Sequence, residues 1–418
     1  MKEELPSDWK RERLEKLCLK TSQKDPRKDP ETPFIYVDVS SISTQSFSIV
    51  EAKSLIGKNA PSRARKLIRK DDIIFATVRP TLKRVAIISD EFDNQICSTG
   101  YCVLRPNKMH LFPPFLYFQL LTEKTTNRVA ALQKGATYPA ISDSDLFSQL
   151  ILLPPLPEQR AIARALRAVQ AARETRLREI ALERERKAAL MEHLFTHGTR
   201  GEPTKMTEIG EMPESWEVVK FGKVIISSAF GPRFSSNYYD PDGSVATLRT
   251  TDLDNEGNIN YSTMPLAKLE LDGFKQHLLK SNDFLITRSG TCGIAAIFEA
   301  FEKPVLPGAF IIRFRLSNEI NPLFLKYYVN SQQGRNRILQ LAGGAVQKNL
   351  SGTSLRTFQI PLPLLVDQDA IVRSLIACDS KIAALDHEAH LHDKLFRAML
   401  EELMTGRLRV GALATPSS

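Results

Sequence analysis

Several turns of this chain carry the donors and acceptors that reading base edges requires. Arg and Lys match the acceptors of guanine, Asn and Gln match adenine, and cationic side chains with backbone N–H groups take up phosphates. The first half offers Arg63-Ala-Arg65-Lys66, Arg79-Pro-Thr-Leu-Lys83-Arg84 and Lys134-Gly-Ala-Thr-Tyr138. The second half offers Arg233-Phe-Ser-Ser-Asn237-Tyr238-Tyr239, Arg249-Thr-Thr251-Asp252, Arg288-Ser289-Gly-Thr291 and Gln347-Lys348-Asn349. Each lies in a predicted turn or just after a predicted strand. Gly290 and Gly343-Gly344 would let backbone approach a phosphate closely. Surfaces are normally rich in Lys and Arg, so any one residue is as readily a solvated loop side chain. The loops carry the signal more than the single residues do.

Catalytic patterns are weaker. Asn321-Pro-Leu-Phe324 is near the Asn-Pro-Pro-aromatic pattern of adenine methyltransferases but lacks the second proline. It reads better as a helix cap. Asp38 with Glu51-Ala-Lys53 has nuclease-like spacing, which arises by chance in charged chains. His387, His390 and His392 are spaced i, i+3 and i+5 rather than i and i+4, so they do not share the helical face that a zinc-protease motif needs. No Gly-x-x-x-x-Gly-Lys-Ser/Thr loop occurs. No catalytic or metal-binding residue is therefore assigned, and no cofactor is expected in this chain.

The elements that position these turns come twice. Phe115 to Ile162 lies without a gap over Phe324 to Ile371, an offset of about 209 residues, and Pro6-x-x-Trp9 is echoed by Pro213-x-x-Trp216. Gly135-Ala136 falls on Gly344-Ala345, Ser142 on Ser351 and Gln159 on Gln368. A period this long is a whole domain plus a connector, not a solenoid repeat. Two copies in one chain act as a covalent dimer with an expected pseudo-two-fold axis, and such objects commonly read duplex DNA.

Each copy reads as mixed α/β followed by a long helix. Strand-like runs are Phe34–Val39, Ile73–Val78, Val85–Ile88, Tyr101–Leu104 and Leu150–Leu153, and a helix is predicted from Phe115 to Gln133. From Glu158 to Phe195, and from Asp367 to Thr405, there is neither Pro nor Gly. The first run predicts a rod of roughly 57 Å. The second carries a 4-3 apolar seam through Ile371, Leu375, Cys378, Ile382, Leu385, Ala389, His392, Phe396, Met399 and Leu403. The matching register in the first helix is charged in its middle, at Arg173, Arg176, Glu183 and Lys187, so a drift there to Leu177, Ala181 and Ala188 is expected. Residues 157–200 carry excess Lys and Arg, and residues 366–410 excess Asp and Glu, which favours pairing of the two helices with each other. The expected layout is two globular α/β domains, 1–156 and 201–363, at opposite ends of an antiparallel spacer formed by helices in 157–200 and 364–410. Residues 411–418 are expected to form a flexible tail.

Composition agrees. A chain of 418 residues allows two to three domains, and a net charge of +9 favours a polyanionic partner. Five scattered cysteines with no Cys-x-x-Cys pair point to a reducing cytoplasm. No stretch reaches the ~18 apolar residues of a membrane span.

Leu153-Pro-Pro-Leu-Pro-Glu-Gln-Arg-Ala-Ile162, entering a helix that ends Leu194-Phe-Thr-His-Gly198, resembles the first conserved region of type I restriction-modification specificity subunits. Leu403-Met-Thr-Gly-Arg-Leu-Arg409 resembles the end of their second conserved region. Asp72-Ile-Ile-Phe-Ala-Thr-Val-Arg-Pro80 and Asp283-Phe-Leu-Ile-Thr-Arg-Ser-Gly290 are similar to pieces of their target recognition domains. The second copy departs at Leu364-Leu-Val-Asp-Gln368. The resemblance implies a non-catalytic subunit. Each recognition domain would read half of a split double-stranded DNA site through the major groove, and the helices would set the gap. The helices would also dock two modification subunits that methylate adenine with S-adenosylmethionine. Restriction (motor-nuclease) subunits using ATP and Mg would complete the complex. The alternative is a stand-alone DNA methyltransferase or nuclease with a fused recognition module.

Overall fold

The computed structural model describes residues 6–135, 137–343 and 348–410. Gln347 and the expected tail 411–418 lie outside them. The chain forms two compact units. Unit 1 takes residues up to Arg178 and from Leu385 onward; unit 2 is Glu179–Ala384. Two long helices, Leu156–His197 and Leu365–Thr405, each give one part to either unit.

In unit 1, one four-stranded sheet runs in the order Cys18–Leu19, Tyr101–Pro106, Ile73–Ala76, Val85–Ile87. A second runs Lys53–Ile56, Pro33–Val37, Ile96–Ser98, Ala64–Leu67, with Pro33–Val37 parallel to Ile96–Ser98. Lys10–Arg13 pairs antiparallel with Leu150–Leu153, the strand that feeds the first long helix. Unit 2 repeats this plan. Ile225–Phe230, Ile311–Leu316, Asp283–Thr287 and Ala295–Phe298 form one sheet, and Val245–Leu248 runs parallel to Val305–Pro307 in another. The central strands Ile73–Ala76 and Asp283–Thr287 are buried throughout.

The helix predicted over Phe115–Gln133 is two helices, Pro113–Leu121 and Glu123–Ala131. Thr122 breaks it. Its backbone is extended (φ −64°, ψ 148°), and its hydroxyl accepts the Thr125 N–H, which caps the second helix. Ser331 does the same between Pro322–Asn330 and Gln332–Gln340. A hydroxyl offered to the backbone stabilises a new N-terminus more than a continued helix.

The seam of the second long helix is as predicted: Ile371, Leu375, Ile382, Leu385, Ala389, Phe396 and Leu403 are buried. The drift expected in the first helix is absent. Leu177 is 41% exposed, and Ala181 and Ala188 are exposed too. The charged residues themselves occupy the seam. In unit 1, Arg173 meets Asp393 at 3.3 Å and Arg176 meets Glu388 at 2.6 Å. In unit 2, Glu183 meets Lys381 and Lys187 meets Asp379, both at 2.5 Å. Rising numbers meet falling ones, so within each unit the helix segments pair antiparallel. Ionic partners across the seam satisfy the charges in place, so the register is kept.

The ends of the helices are tied down in matching ways. Gly198 (φ 65°) and Gly406 (φ 76°) stop them in the left-handed conformation that glycine favours. Gly406 lies against Pro6 and Trp9, and Gly198 against Pro213 and Trp216.

Candidate nucleic-acid interface

In unit 1 the buried strand Ile73–Ala76 delivers the chain to Thr77, whose N–H and hydroxyl both bond the Gly100 carbonyl, at 2.8 and 2.9 Å. Arg79 follows with φ +50°, an uncommon conformation for a non-glycine residue. Its N–H donates to the Pro139 carbonyl at 2.7 Å, and its guanidinium lies 5.1 Å from the centroid of the Tyr138 ring. Backbone bridges join Val78 to Ala140 and Lys134 to Ala140. Two turns more than fifty residues apart in sequence thus become one ridge bearing Arg79, Lys134 and Tyr138. Tyr138 is 68% exposed.

Unit 2 builds the same junction from different residues. Asp283–Thr287 delivers Arg288, whose N–H bonds the Phe310 carbonyl at 2.8 Å and whose carbonyl accepts the Leu350 N–H at 3.0 Å. Its Nε donates to Asn349 Oδ1 at 3.2 Å, and its guanidinium lies 4.9 Å from the Phe230 ring centroid. A bridge joins Gly343 to Asn349, matching Lys134 to Ala140. Lys348 is exposed beside Asn349, whereas Ser289 is buried. Among the described residues neither Arg79 nor Arg288 has a carboxylate partner.

The remaining candidates separate from these. Arg65 lies 3.3 Å from Asp25 and donates to the Ala64 carbonyl at 2.8 Å. Arg27, hydrogen-bonded to Asp25, and Arg65 beside it hold that carboxyl at about 2. Lys83 donates to Glu123 at 2.6 Å. Arg84 is half-buried, with a buried Nε that has no hydrogen-bond partner among the described residues. Arg249 grips Asp252 with two bonds, at 3.1 and 2.7 Å, and bonds the Thr263 carbonyl at 2.8 Å. That carboxylate raises the pKa of Arg249, so Arg249 is a brace of its turn. Thr251 is exposed on this turn. Arg63 is exposed, and its carbonyl accepts the N–H of Thr99, next to Gly100. Arg233, Asn237 and Tyr238 are exposed on the segment after Phe230, where Asn237 N–H bonds Ser235 at 3.3 Å and the Tyr238 carbonyl accepts Lys268 N–H at 2.9 Å.

Sequence reading missed Phe230, the platform under Arg288. It also missed Phe310, which is 53% exposed at the head of Ile311–Leu316. The available signal was an aromatic at each strand end in line with the Arg288 turn. The catalytic lookalikes have structural roles. Asn321 Oδ1 caps a helix by accepting Leu323 N–H at 2.9 Å, and its Nδ2 donates to Asp369 at 2.8 Å. Asp38 accepts the Val39 N–H at 2.8 Å to cap a short turn. His387 and His390 are exposed and His392 is half-buried on the seam.

Twofold repetition of a sheet, a helix pair and a cationic-aromatic ridge, each leading into a long helix, defines a duplicated recognition module. The family model for the type I restriction modification DNA specificity domain matches residues 6–184 and 213–389. The chain belongs to that family. It is 29% identical over 290 residues to the type I restriction enzyme MjaVIII specificity subunit of Methanocaldococcus jannaschii, covering 66% of each chain. It is 24% identical over 335 residues to the EcoKI specificity subunit of Escherichia coli K12, covering 76% of this chain and 69% of that one. A chain from a solved structure of a type I R-M system superposes with a TM-score of 0.63 at 28% identity, covering 97% of this chain and 100% of that chain.

Proposed function

We propose that this chain is the DNA-specificity subunit of a type I restriction-modification complex and has no catalytic activity of its own. The observation that carries this reading is the double match to the family model, with a cationic-aromatic ridge in each matched half. Each unit reads one half of a bipartite double-stranded DNA site. Arg79, Lys134 and Tyr138 act in one half, and Arg288, Lys348 and Asn349 in the other, together with Gln347, the residue before Lys348 in sequence. Arg63, Thr251, Arg233, Asn237 and Tyr238 are outer contacts to backbone or bases. The long helices set the unspecified gap and dock two modification subunits. Those subunits use S-adenosylmethionine, the restriction subunits use ATP and Mg, and the whole works in the cytoplasm.

The competing reading, a stand-alone methyltransferase or nuclease, draws no support from Asn321, whose Oδ1 caps a helix and whose Nδ2 is bonded to Asp369. The test is an exchange. Residues 212–363 are replaced by the corresponding domain of a relative, and methylated motifs are sequenced in cells that also carry the modification subunit. One half of the motif should change while the other half and the gap stay. Both halves changing together would overturn modular reading. Methyl transfer from S-adenosylmethionine by the purified chain, lost in Asn321→Ala, would overturn the non-catalytic assignment.

A further inference from the structure

The two ridges differ at one equivalent position. Gly100 and Phe310 each sit just before a six-residue strand, Tyr101–Pro106 and Ile311–Leu316. Each gives its carbonyl to the residue leaving the central strand, Thr77 or Arg288, at 2.8 Å. In unit 1 this place holds no side chain, and a Cβ on Gly100 would come within 2.7 Å of Val39 Cγ2 and force that valine to move. In unit 2 it holds a phenyl ring that is 53% exposed. On the neighbouring strand Phe230 is 44% exposed, one edge near Gly352 and one face under the Arg288 guanidinium. Gly231 N–H bonds the Ile311 carbonyl at 3.0 Å, and Phe230 pairs with Ile312, so the two aromatics lie at the same end of neighbouring strands, two residues out of register.

Scattered exposed apolar side chains need no explanation, but an exposed phenyl ring beside an arginine with no carboxylate partner among the described residues does. Arg288 favours a polyanion over an apolar protein surface. A phenyl ring cannot hydrogen-bond, so it cannot read the polar edges of guanine, adenine or cytosine. The single apolar feature on base edges in the major groove is the C5-methyl of thymine. Arg288 and Asn349 beside it have the donors and acceptor suited to purine edges. We propose that Phe310 is a specificity-determining residue that contacts a thymine methyl group in the half-site read by unit 2. The proposal rests on the DNA-reading function above.

The test uses the full-length chain co-purified with its modification subunit and a duplex bearing the methylated motif, the unit 2 half being known from the exchange. Each thymine of that half is replaced in turn by deoxyuridine, which removes the methyl alone. At one position the replacement should weaken binding about fourfold, the value of one buried methyl-sized group. Phe310→Ala should cost a similar factor and abolish sensitivity at that position, while Phe310→Leu should keep both affinity and sensitivity. Circular dichroism checks that the variants fold, as an exposed site allows. If no thymine of that half is sensitive, or if Phe310→Ala keeps the sensitivity, the proposal is wrong. If 2-aminopurine placed in the half-site brightens on binding by wild type but not by Phe310→Ala, the ring inserts between bases and the methyl contact is refuted. Failure of the wild-type complex to distinguish the motif from a scrambled duplex would instead remove the underlying reading, and this proposal with it.

Discussion

Gln368 makes in unit 2 the hydrogen bonds that Gln159 makes in unit 1. Gln159 Oε1 accepts the Phe112 N–H at 2.8 Å, and its Nε2 donates to the carbonyls of His110 and Pro154 at 3.0 and 2.8 Å. Gln368 Oε1 accepts the Asn321 N–H at 2.7 Å, and its Nε2 donates to those of Glu319 and Pro363 at 3.0 and 2.9 Å. Both side chains are fully buried. Each fastens the first turn of a long helix to the turn that opens the helix pair of its recognition domain.

Removing that fastener leaves buried backbone groups without partners. Gln159→Ala should cost about 2–4 kcal/mol, since each unsatisfied buried group costs roughly 1–3. Gln368→Ala should cost a similar amount. Urea unfolding followed by circular dichroism measures both. A loss below ~0.5 kcal/mol in either variant would show that water replaces the amide without penalty.

A second prediction comes from an imperfect copy. Trp9 Nε1 donates to Glu158 at 2.9 Å, and Arg409 binds the same carboxylate. In unit 2 the matching acid is Asp367, one methylene shorter. It still holds Arg200 at 2.8 Å, but the buried indole Nε1 of Trp216 has no partner among the described residues. Asp367→Glu should supply the missing acceptor and stabilise unit 2 by about 1 kcal/mol. Glu158→Asp should destabilise unit 1 by a similar amount. Unfolding midpoints and the indole N–H proton shift of Trp216 report the change; an unmoved Trp216 resonance would count against it.

A third prediction concerns the charged seam. Lys187 is buried between Asp379 and Glu256, with Tyr327 hydrogen-bonded to Asp379 at 2.6 Å. Burial works against its charge, but the bonds to Asp379 and Glu256 outweigh this and raise its pKa. Both carboxylates are partly exposed and can regain water, so Lys187→Met should cost only about 1–2 kcal/mol. The Lys381 hydrogen bond lowers the pKa of Glu183. A carboxylate with a lowered folded pKa stabilises above its unfolded value, near 4.3, and loses that contribution as pH falls further. A lysine with a raised pKa stabilises below about 10.4 and loses that contribution above it. Thermal stability should therefore be flat between roughly pH 5 and 10 for this pair of contacts and fall on both sides. Glu183→Lys should lower the midpoint, and adding Lys381→Glu should restore it. No recovery in the double variant would mean the pair does not set the register.

The repeat, both long helices, the apolar seam and the central strands were legible because each is a local pattern or a period. The charged half of the seam was not. Arg173, Arg176, Glu183 and Lys187 read as solvated, because their partners lie some two hundred residues away. Ion pairing between distant segments leaves no periodic trace in one strand of sequence. The break at Thr122 was readable in principle, since Thr122-x-x-Thr125 offers a cap. The candidate loops were found, but not the division of labour within them. Arg249-x-x-Asp252 was close enough in sequence to betray its ion pair, whereas Arg65 with Asp25 and Lys83 with Glu123 were not.

That division gives the last prediction. Arg79 and Arg288 are held by aromatic rings and by backbone, with no carboxylate competing for them among the described residues. Arg249 is bound to a fully buried Asp252, so its charge is already spent. Arg288→Ala should relax discrimination at one base position of one half-site by about 1–3 kcal/mol, the value of a bidentate purine contact, and leave unit 1's half unaffected. Arg79→Ala should do the same in the other half. Arg249→Ala should instead lower the stability of unit 2 by about 1–2 kcal/mol, by stranding Asp252, with base preference unchanged. Binding by the chain with its modification subunit, measured against a panel of single-substitution duplexes at fixed salt, separates these outcomes, because a lost phosphate contact weakens every duplex alike. If Arg288→Ala weakens all duplexes equally, it is a phosphate anchor and the purine-reading role belongs to another residue of the ridge. If Arg249→Ala changes the base preference, the ion pair opens on DNA, and sorting candidates by their carboxylate partners is unsound.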